Sequence, residues 1–278
     1  MTPAMTIKPM TEGPDPRYAR HRALHEISSN DARIHASTVC VVGAGGVASS
    51  CLLYLAAAGV RKLIIVDNDK VDVTNLQRQV IHNEERVGIN KAESAETVLR
   101  ALNSNVKIVV RKEKFTRETA PKILEGRVDC IVDTTDTPEA RFLVAEVAYR
   151  RSIPLVHAAA VRFTVTLTTV IPWLKKYPCL RCLYRAIPSR ELRQVSDRDG
   201  IFGPAAGTAG TLAASECLKV CLYRDDKKLP DLALCGRLMI IHCFEMVSRT
   251  IPYTKKADCA LCCEIYDSRN DHKLLKSL

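Results

Sequence analysis

The sequence predicts an α/β fold, with a mainly parallel, Rossmann-like sheet and helices on both faces. Three observations predict it. Short apolar runs alternate with helical periodicity through the front half of the chain. A glycine turn, Gly43-Ala44-Gly45-Gly46, joins a β-branched run to a stretch of small residues. Two further apolar runs end in single acids, Asp67 and Asp133.

Each element follows from its residues. Residues 1–16 are rich in Pro and Thr and read as a flexible tail. Tyr18 to Ile27 opens a short helix. Thr38–Val42 is the first strand, and Val47–Ala58 is a buried helix whose small residues permit close packing. Leu63–Val66 is the second strand, followed by a polar loop from Asn68 to Gln79. Lys91–Leu102 carries one apolar face through Ala92, Ala95, Val98, Leu99 and Leu102. Val106–Val110 and Val128–Val132 are strands around a short helix, Thr116–Leu124. Pro138 suits the first position of a helix that runs to about Tyr149. Ile153–His157 and Phe163–Val170 are strands. Pro172 to Pro204 reads as a loop crossing the surface, Ala213–Tyr223 as a helix and Leu238–Ile241 as a late strand.

Composition narrows the function classes. The 278 residues are 47% hydrophobic and 26% charged, which excludes a disordered or fibrous chain. This length leaves no room for a second catalytic domain. The uncharged run Ala36–Val60 is long enough for a membrane span, but its glycines and paired serines favour strand, turn and helix. No membrane partner is expected. The start has no apolar secretory region, so the 12 cysteines read as reduced thiols in a cytoplasmic protein. The net charge of +10 permits an acidic partner, but no Lys/Arg block points to nucleic acid.

Gly43, Gly45 and Gly46 allow a tight turn that brings backbone N–H groups and a helix N-terminus up to a phosphate. Asp67 stands where a ribose hydroxyl needs an acceptor. An NAD-dependent dehydrogenase would satisfy these features, as would tight helix–sheet packing without a ligand. Arg78 and Lys91 add two cations at the same sheet edge. Hydride transfer does not need them; phosphoryl or nucleotidyl transfer does, because charge develops on the leaving phosphates. Asp136, after the strand that ends in Asp133, suits Mg²⁺, though it also suits the start of the Pro138 helix.

Cys179-Leu180-Arg181-Cys182 and Cys259-Ala260-Leu261-Cys262 form two CxxC pairs. Together they have the ligands of a closed, structural Cys₄ zinc site. A redox pair or unrelated core thiols are the alternatives, and Cys263 competes as a ligand. The remaining cysteines fall in predicted strands and helices and read as small buried hydrophobes.

In order and spacing these pieces resemble the ThiF/MoeB family of adenylating enzymes, relatives of the ubiquitin-activating enzyme. The resemblance rests on Arg17-Tyr18-Ala19-Arg20, Gly43–Ala48, Asp67 with Asp69, Asn75–Gln79, Lys91, Asp136 and both CxxC pairs. It implies one adenylation domain over 17–278, with a nucleotide-binding part near 36–158 and a partner-binding and zinc part near 159–265. Its C-terminal part would hold antiparallel strands and a crossover loop. ATP would sit on the glycine turn, with Asp67 on the ribose and Arg78 and Lys91 on the phosphates. Asp136 would serve Mg²⁺, and Asp69, Asn75, Gln79 and Thr137 would complete the nucleotide site. Arg20 would reach across a homodimer. The implied product is an acyl adenylate on the C-terminal carboxylate of a small protein or peptide.

Two departures stand out. Thr137 replaces the asparagine common in relatives. Ser196 stands where thioester-forming relatives carry a cysteine, ahead of Gly200-Ile201-Phe202-Gly203-Pro204. A serine does not exchange acyl groups as a thiolate does. The expected reaction is therefore adenylation without a thioester. A ubiquitin-like sulfur carrier of cofactor biosynthesis is the first expected partner, and a ribosomally made antibiotic precursor peptide is the alternative. A scaffold that has lost its chemistry would not need to keep Arg20, Arg78, Lys91 and Asp136.

Overall fold

The computed structural model describes residues 15–187, 189, 191 and 196–263. The expected tail falls outside these residues except for Asp15 and Pro16, as do Val195 of the crossover segment and the end of the expected domain beyond Cys263.

Eight strands form one sheet: β1 (Thr38–Val42), β2 (Lys62–Val66), β3 (Lys107–Arg111), β4 (Cys130–Asp133), β5 (Leu155–Val161), β6 (Thr164–Val170), β7 (Arg237–His242) and β8 (Val247–Pro252). Their order is β3-β2-β1-β4-β5-β6-β7-β8. The first five pair in parallel, and β6, β7 and β8 continue the sheet antiparallel. The helices are α1 (Ala19–Arg22), α2 (His25–Ser28), α3 (Asp31–Ala36), α4 (Gly46–Ala57), α5 (Lys91–Leu102) and α6 (Ala120–Ile123). Then follow α7 (Pro138–Arg150), α8 (Leu180–Leu183), α9 (Ser196–Asp199), α10 (Gly203–Tyr223) and α11 (Leu229–Leu232). Among the described residues no helix is long and apolar enough to cross a membrane.

Alternation along the strands divides the core in two. Val39 and Val41 join Leu52, Leu99 and Ala209 under α4, α5 and α10. Cys40 and Val42 join Ile123, Val144 and Leu180 on the opposite face. Both faces of the central strands are buried, which explains their continuous β-branched runs. Helix α10 lies so close to α4 that a Cβ on Gly210 would stand 2.0 Å from the Val47 carbonyl oxygen.

The differences from sequence expectation have physical causes. Helix α10 begins ten residues earlier than its apolar pattern suggests, because Gly203, Gly207 and Gly210 serve close packing or lie within the helix instead of ending it. Strand β8 is exposed along its whole length, so no buried alternation marks it. The N-terminal helix is a series of short turns, Pro16–Tyr18, α1 and α2, followed by α3. Tyr18 anchors them: its phenol rests on Gly59 and accepts a hydrogen bond from Asn103 Nδ2 at 2.9 Å.

Candidate active site

Where β1, β2, β4 and β5 reach their carboxyl ends, the sheet opens into a cavity of about 750 Å³. That is the customary ligand position in an open α/β sheet, and the volume suits a nucleotide-sized ligand. Gly43, Gly45, Gly46, Asp67, Asp69, Arg78, Gln79, Lys91, Asp136 and Thr137 all line it.

The glycine turn is constrained by its neighbours. Gly43 has φ +105°, and a Cβ there would meet Thr134 Oγ1 at 2.6 Å. Gly45 caps α4, whose first N–H groups have no partner within the helix. Asp67 fixes the turn from β2: its Oδ2 accepts the Ala44 N–H at 2.7 Å, and its Oδ1 accepts the Asp69 N–H at 2.8 Å. Burial pushes the Asp67 carboxyl above the usual carboxylate range, against those two bonds and the nearby Lys91 charge.

The cations come from two neighbouring elements. Asn90 caps α5 through the N–H groups of Ala92 and Glu93 and donates to the carbonyls of Asp67 and Asp69. Lys91 follows it and is only 8% exposed; its Nζ lies 3.0 Å from Asp69 Oδ2. Arg78 and Gln79 close the loop between β2 and α5 over the glycine turn. The Arg78 stem lies against Gly46, and its guanidinium donates to the Thr74 carbonyl at 3.2 Å. Gln79 is buried, and its Oε1 has no partner among the described residues. A buried amide oxygen without a donor on a cavity wall is a position for a ligand's donor.

His82 supports the turn from beneath. Its Nε2 bonds the Ala44 carbonyl at 2.9 Å and its Nδ1 bonds Ser94 Oγ at 2.8 Å, so the proton resides on Nε2. Burial holds this imidazole below its ordinary value, and burial does the same to His157. The unfolded chain therefore takes up protons that the folded chain refuses. This contribution to stability is whole above the unfolded value near ~6.5 and is lost as the pH falls below it, by at most ~1.4 kcal/mol per pH unit per ring. His82→Gln keeps an N–H for Ala44 and removes one titration. Its unfolding free energy, measured in urea, is expected to fall less steeply below about pH 6; a slope equal to wild type would exclude His82 as a source.

Asp136 is exposed on the turn between β4 and α7, and Thr137 caps α7 through the Ala140 N–H. Two of the sequence candidates do not line the cavity. Asn75 lies in a short turn, where its Nδ2 donates to Thr74 Oγ1 and its carbonyl accepts from the Arg78 and Gln79 N–H groups. Arg20 is exposed on α1, beside Tyr18 at the far ends of α4 and α5. Helix α4 alone separates that end from the glycine turn by about 18 Å. Ser196 opens α9.

Sequence reasoning missed Lys114, Phe115, Arg141 and Tyr184, which also line the cavity. Arg141 had a usable signal, being one turn into the helix that Pro138 opens. Tyr184 had none, since only the folding of the crossover segment brings it to the wall.

Two members of the cysteine quartet, Cys179 and Cys182, lie in that segment just before Tyr184. The Sγ atoms of Cys179, Cys182, Cys259 and Cys262 all lie within 4.8 Å of one another. Cys179 and Cys259 are 3.5 Å apart, Cys182 and Cys262 3.4 Å, and Cys179 and Cys182 3.9 Å. Tetrahedral zinc with bonds of ~2.3 Å sets its sulfurs about 3.8 Å apart, so the four thiols fit that ion. Cys263 lies outside the group, and its half-exposed thiol donates to the Ala257 carbonyl. The remaining cysteines are buried, apart from half-buried Cys243.

Comparison with known proteins places this geometry. The family model of the ThiF family matches residues 18–262. The SAMP-activating enzyme E1 of Haloferax volcanii is 36% identical over 249 residues, covering 89% of this chain and 88% of that protein. The adenylyltransferase and sulfurtransferase MOCS3 of Aedes aegypti is 35% identical over 248 residues, and the matched part is 55% of that protein's length. Among solved structures, E. coli MccB with ATP superposes with a TM-score of 0.75 at 21% identity, covering 89% of this chain and 75% of that one.

Proposed function

The chain belongs to the ThiF family, and from that premise we propose that it adenylates the C-terminal carboxylate of a small protein, releasing pyrophosphate. The observation that carries this reading is the meeting of the glycine turn, Arg78, Lys91 and Asp136 around one cavity.

The chemistry suits the residues. A carboxylate with a pKa near ~4 is already ionised at pH 7, so the attack on the α-phosphorus needs no general base. The site must hold it in line and neutralise the leaving pyrophosphate. The N-terminus of α4 would bind phosphate oxygens, and Arg78 and Lys91 would balance the charge that develops. Gln79 Oε1 would accept from the nucleotide. Asp67 braces the turn and is the candidate acceptor for the ribose. Asp136 would hold Mg²⁺, which supplies further charge neutralisation when bound. Zinc in the cysteine quartet would be structural, because four thiolates leave no open position. In this reading 36–158 is the nucleotide part of one domain and 159–265 its partner and zinc part.

A ubiquitin-like carrier is the first choice of partner. The Haloferax enzyme, named for SAMP activation, matches over nearly its whole length. The uncovered end of the sheet also offers a docking face. Phe163 packs on Phe202 and Phe244 with ring centroids 5.5 and 4.9 Å apart, and Phe244 and Met246 are exposed. Their chain neighbours Thr164 and Ile201 line the cavity, so a docked partner's tail would have a short way in. A precursor peptide is the second reading, favoured by Ser196 in place of a thiol. The free thiols suit a cytoplasmic setting.

ATP–pyrophosphate exchange tests the proposal, run with and without small carrier proteins and candidate peptides. Exchange that requires one partner is expected; ATP binding without exchange for any partner would overturn it. The position of Arg20 further supports a homodimer in which that arginine serves the neighbouring cavity. Mixing Arg20→Ala subunits with Lys91→Ala subunits is expected to restore about a quarter of wild-type exchange, by random assortment of two intact half-sites. No recovery in verified mixed dimers would exclude the shared site.

A further inference from the structure

Beneath the turn that carries Asp136 lies a buried polar pair that the proposed chemistry leaves unused. Asp133 and His157 are both 0% exposed and face each other directly, Asp133 as the last residue of β4 and His157 within β5. His157 Nδ1 stands 2.8 Å from Asp133 Oδ2. The other carboxylate oxygen accepts twice from Thr135, from its N–H at 3.0 Å and its hydroxyl at 2.6 Å. Thr134, on the same turn, donates to the Val42 carbonyl and fills the space over Gly43. One run of contacts therefore joins His157, Asp133, the Thr134–Thr137 turn and the glycine turn.

The surroundings fix the state of the pair. Burial raises the Asp133 carboxyl, but the His157 bond, Arg141 and Thr135 outweigh it and hold it below the usual range. Burial and the Arg141 charge keep His157 neutral. A neutral ring facing a carboxylate carries its proton on Nδ1. Nε2 is then an acceptor, with no partner among the described residues. The Tyr184 ring packs on the imidazole at 5.9 Å and 84°, and the Arg141 guanidinium lies 6.0 Å from that tyrosine ring.

We propose that His157 is a positioning residue of the adenylation site: its Nδ1–H orients Asp133, and Asp133 in turn fixes Thr135 and so the place of Asp136 on the cavity wall. This rests on the proposed adenylation. What matters is one donor at the Nδ1 position. Asparagine offers an amide N–H near that position; glutamine offers one near Nε2.

The experiment compares His157→Asn and His157→Gln by amide hydrogen exchange at Thr135 and by the kinetics of ATP–pyrophosphate exchange. Asn is expected to keep both within about threefold of wild type. Gln is expected to speed Thr135 exchange and to lower kcat, each by about tenfold or more, with KM for ATP within about threefold. A purely structural histidine would give folded variants whose kcat does not separate Asn from Gln. A folded Gln variant with wild-type Thr135 protection overturns the proposal, as does an Asn variant that loses as much as Gln. If Gln does not fold, the Asn variant decides alone: wild-type values support the inference, and loss overturns it. Should wild type show no exchange with any partner, the adenylation reading fails, and Thr135 protection still decides the role of His157 in setting the turn.

Discussion

Lys91→Ala is expected to cut partner-dependent ATP–pyrophosphate exchange by on the order of 10²–10³-fold, the usual cost of removing one preorganised charge-stabilising donor. Lys91 opens α5 and is held against Asp69 rather than swinging free. Its ammonium is thus oriented before any nucleotide arrives, and no reorganisation is needed when charge develops. The fold should survive, because the Asp69 side chain is 61% exposed and stays solvated without its partner. That freed carboxylate would add negative charge beside the phosphates. The Asp69→Ala, Lys91→Ala double variant is accordingly expected to exchange faster than Lys91→Ala alone. Exchange by the single variant within threefold of wild type, with its circular dichroism unchanged, would remove Lys91 from the machinery.

Cys262→Ser should abolish metal binding and lower the melting temperature by more than about 10 °C. A structural zinc site carries ~10–16 kcal/mol of binding free energy in small peptides, and a chain of this size loses about 2–4 °C for each kcal/mol. A loss of several kcal/mol therefore suffices. The effect should reach the cavity, because Tyr184 and Ala186 follow the first CxxC pair directly and line its wall. Cys263→Ser is the control and is expected to keep one zinc per chain by atomic absorption. Retention of zinc by Cys262→Ser with its loss from Cys263→Ser would reassign the fourth ligand.

The sequence carried the parallel half of the sheet clearly, since strands buried on both faces must be written in long β-branched runs such as Thr38–Val42. The glycine turn was equally plain, because only glycine tolerates the contact between Gly43 and Thr134. The quartet was legible from spacing although its pairs lie 80 residues apart. Other features lack a local signature. Strand β8 buries no face, so nothing in its pattern separates it from a loop. The early start of α10 was masked by its glycines, of which Gly210 is required by the α4 contact and Gly203 by the loop at Gln77. Tyr184 and His157 reach the site region only through tertiary folding. The place of Arg20, outside its own cavity, depends on the Tyr18–Gly59 contact, which no window of sequence contains.

The strand order also has a consequence for biosynthesis. Among the described residues, strands β1 to β5 pair only with one another and with β6, and all of them precede Val170 in the chain. A ribosome thus releases the whole parallel sheet before α10, which covers one of its faces, has been made. Strand β7 finds β6 only after that helix emerges, and the cysteine quartet, whose second pair lies beyond β8, closes last. Until α10 docks, the small residues of α4 face water where that helix will lie. Newly made chains are most open to chaperones and proteases in that interval.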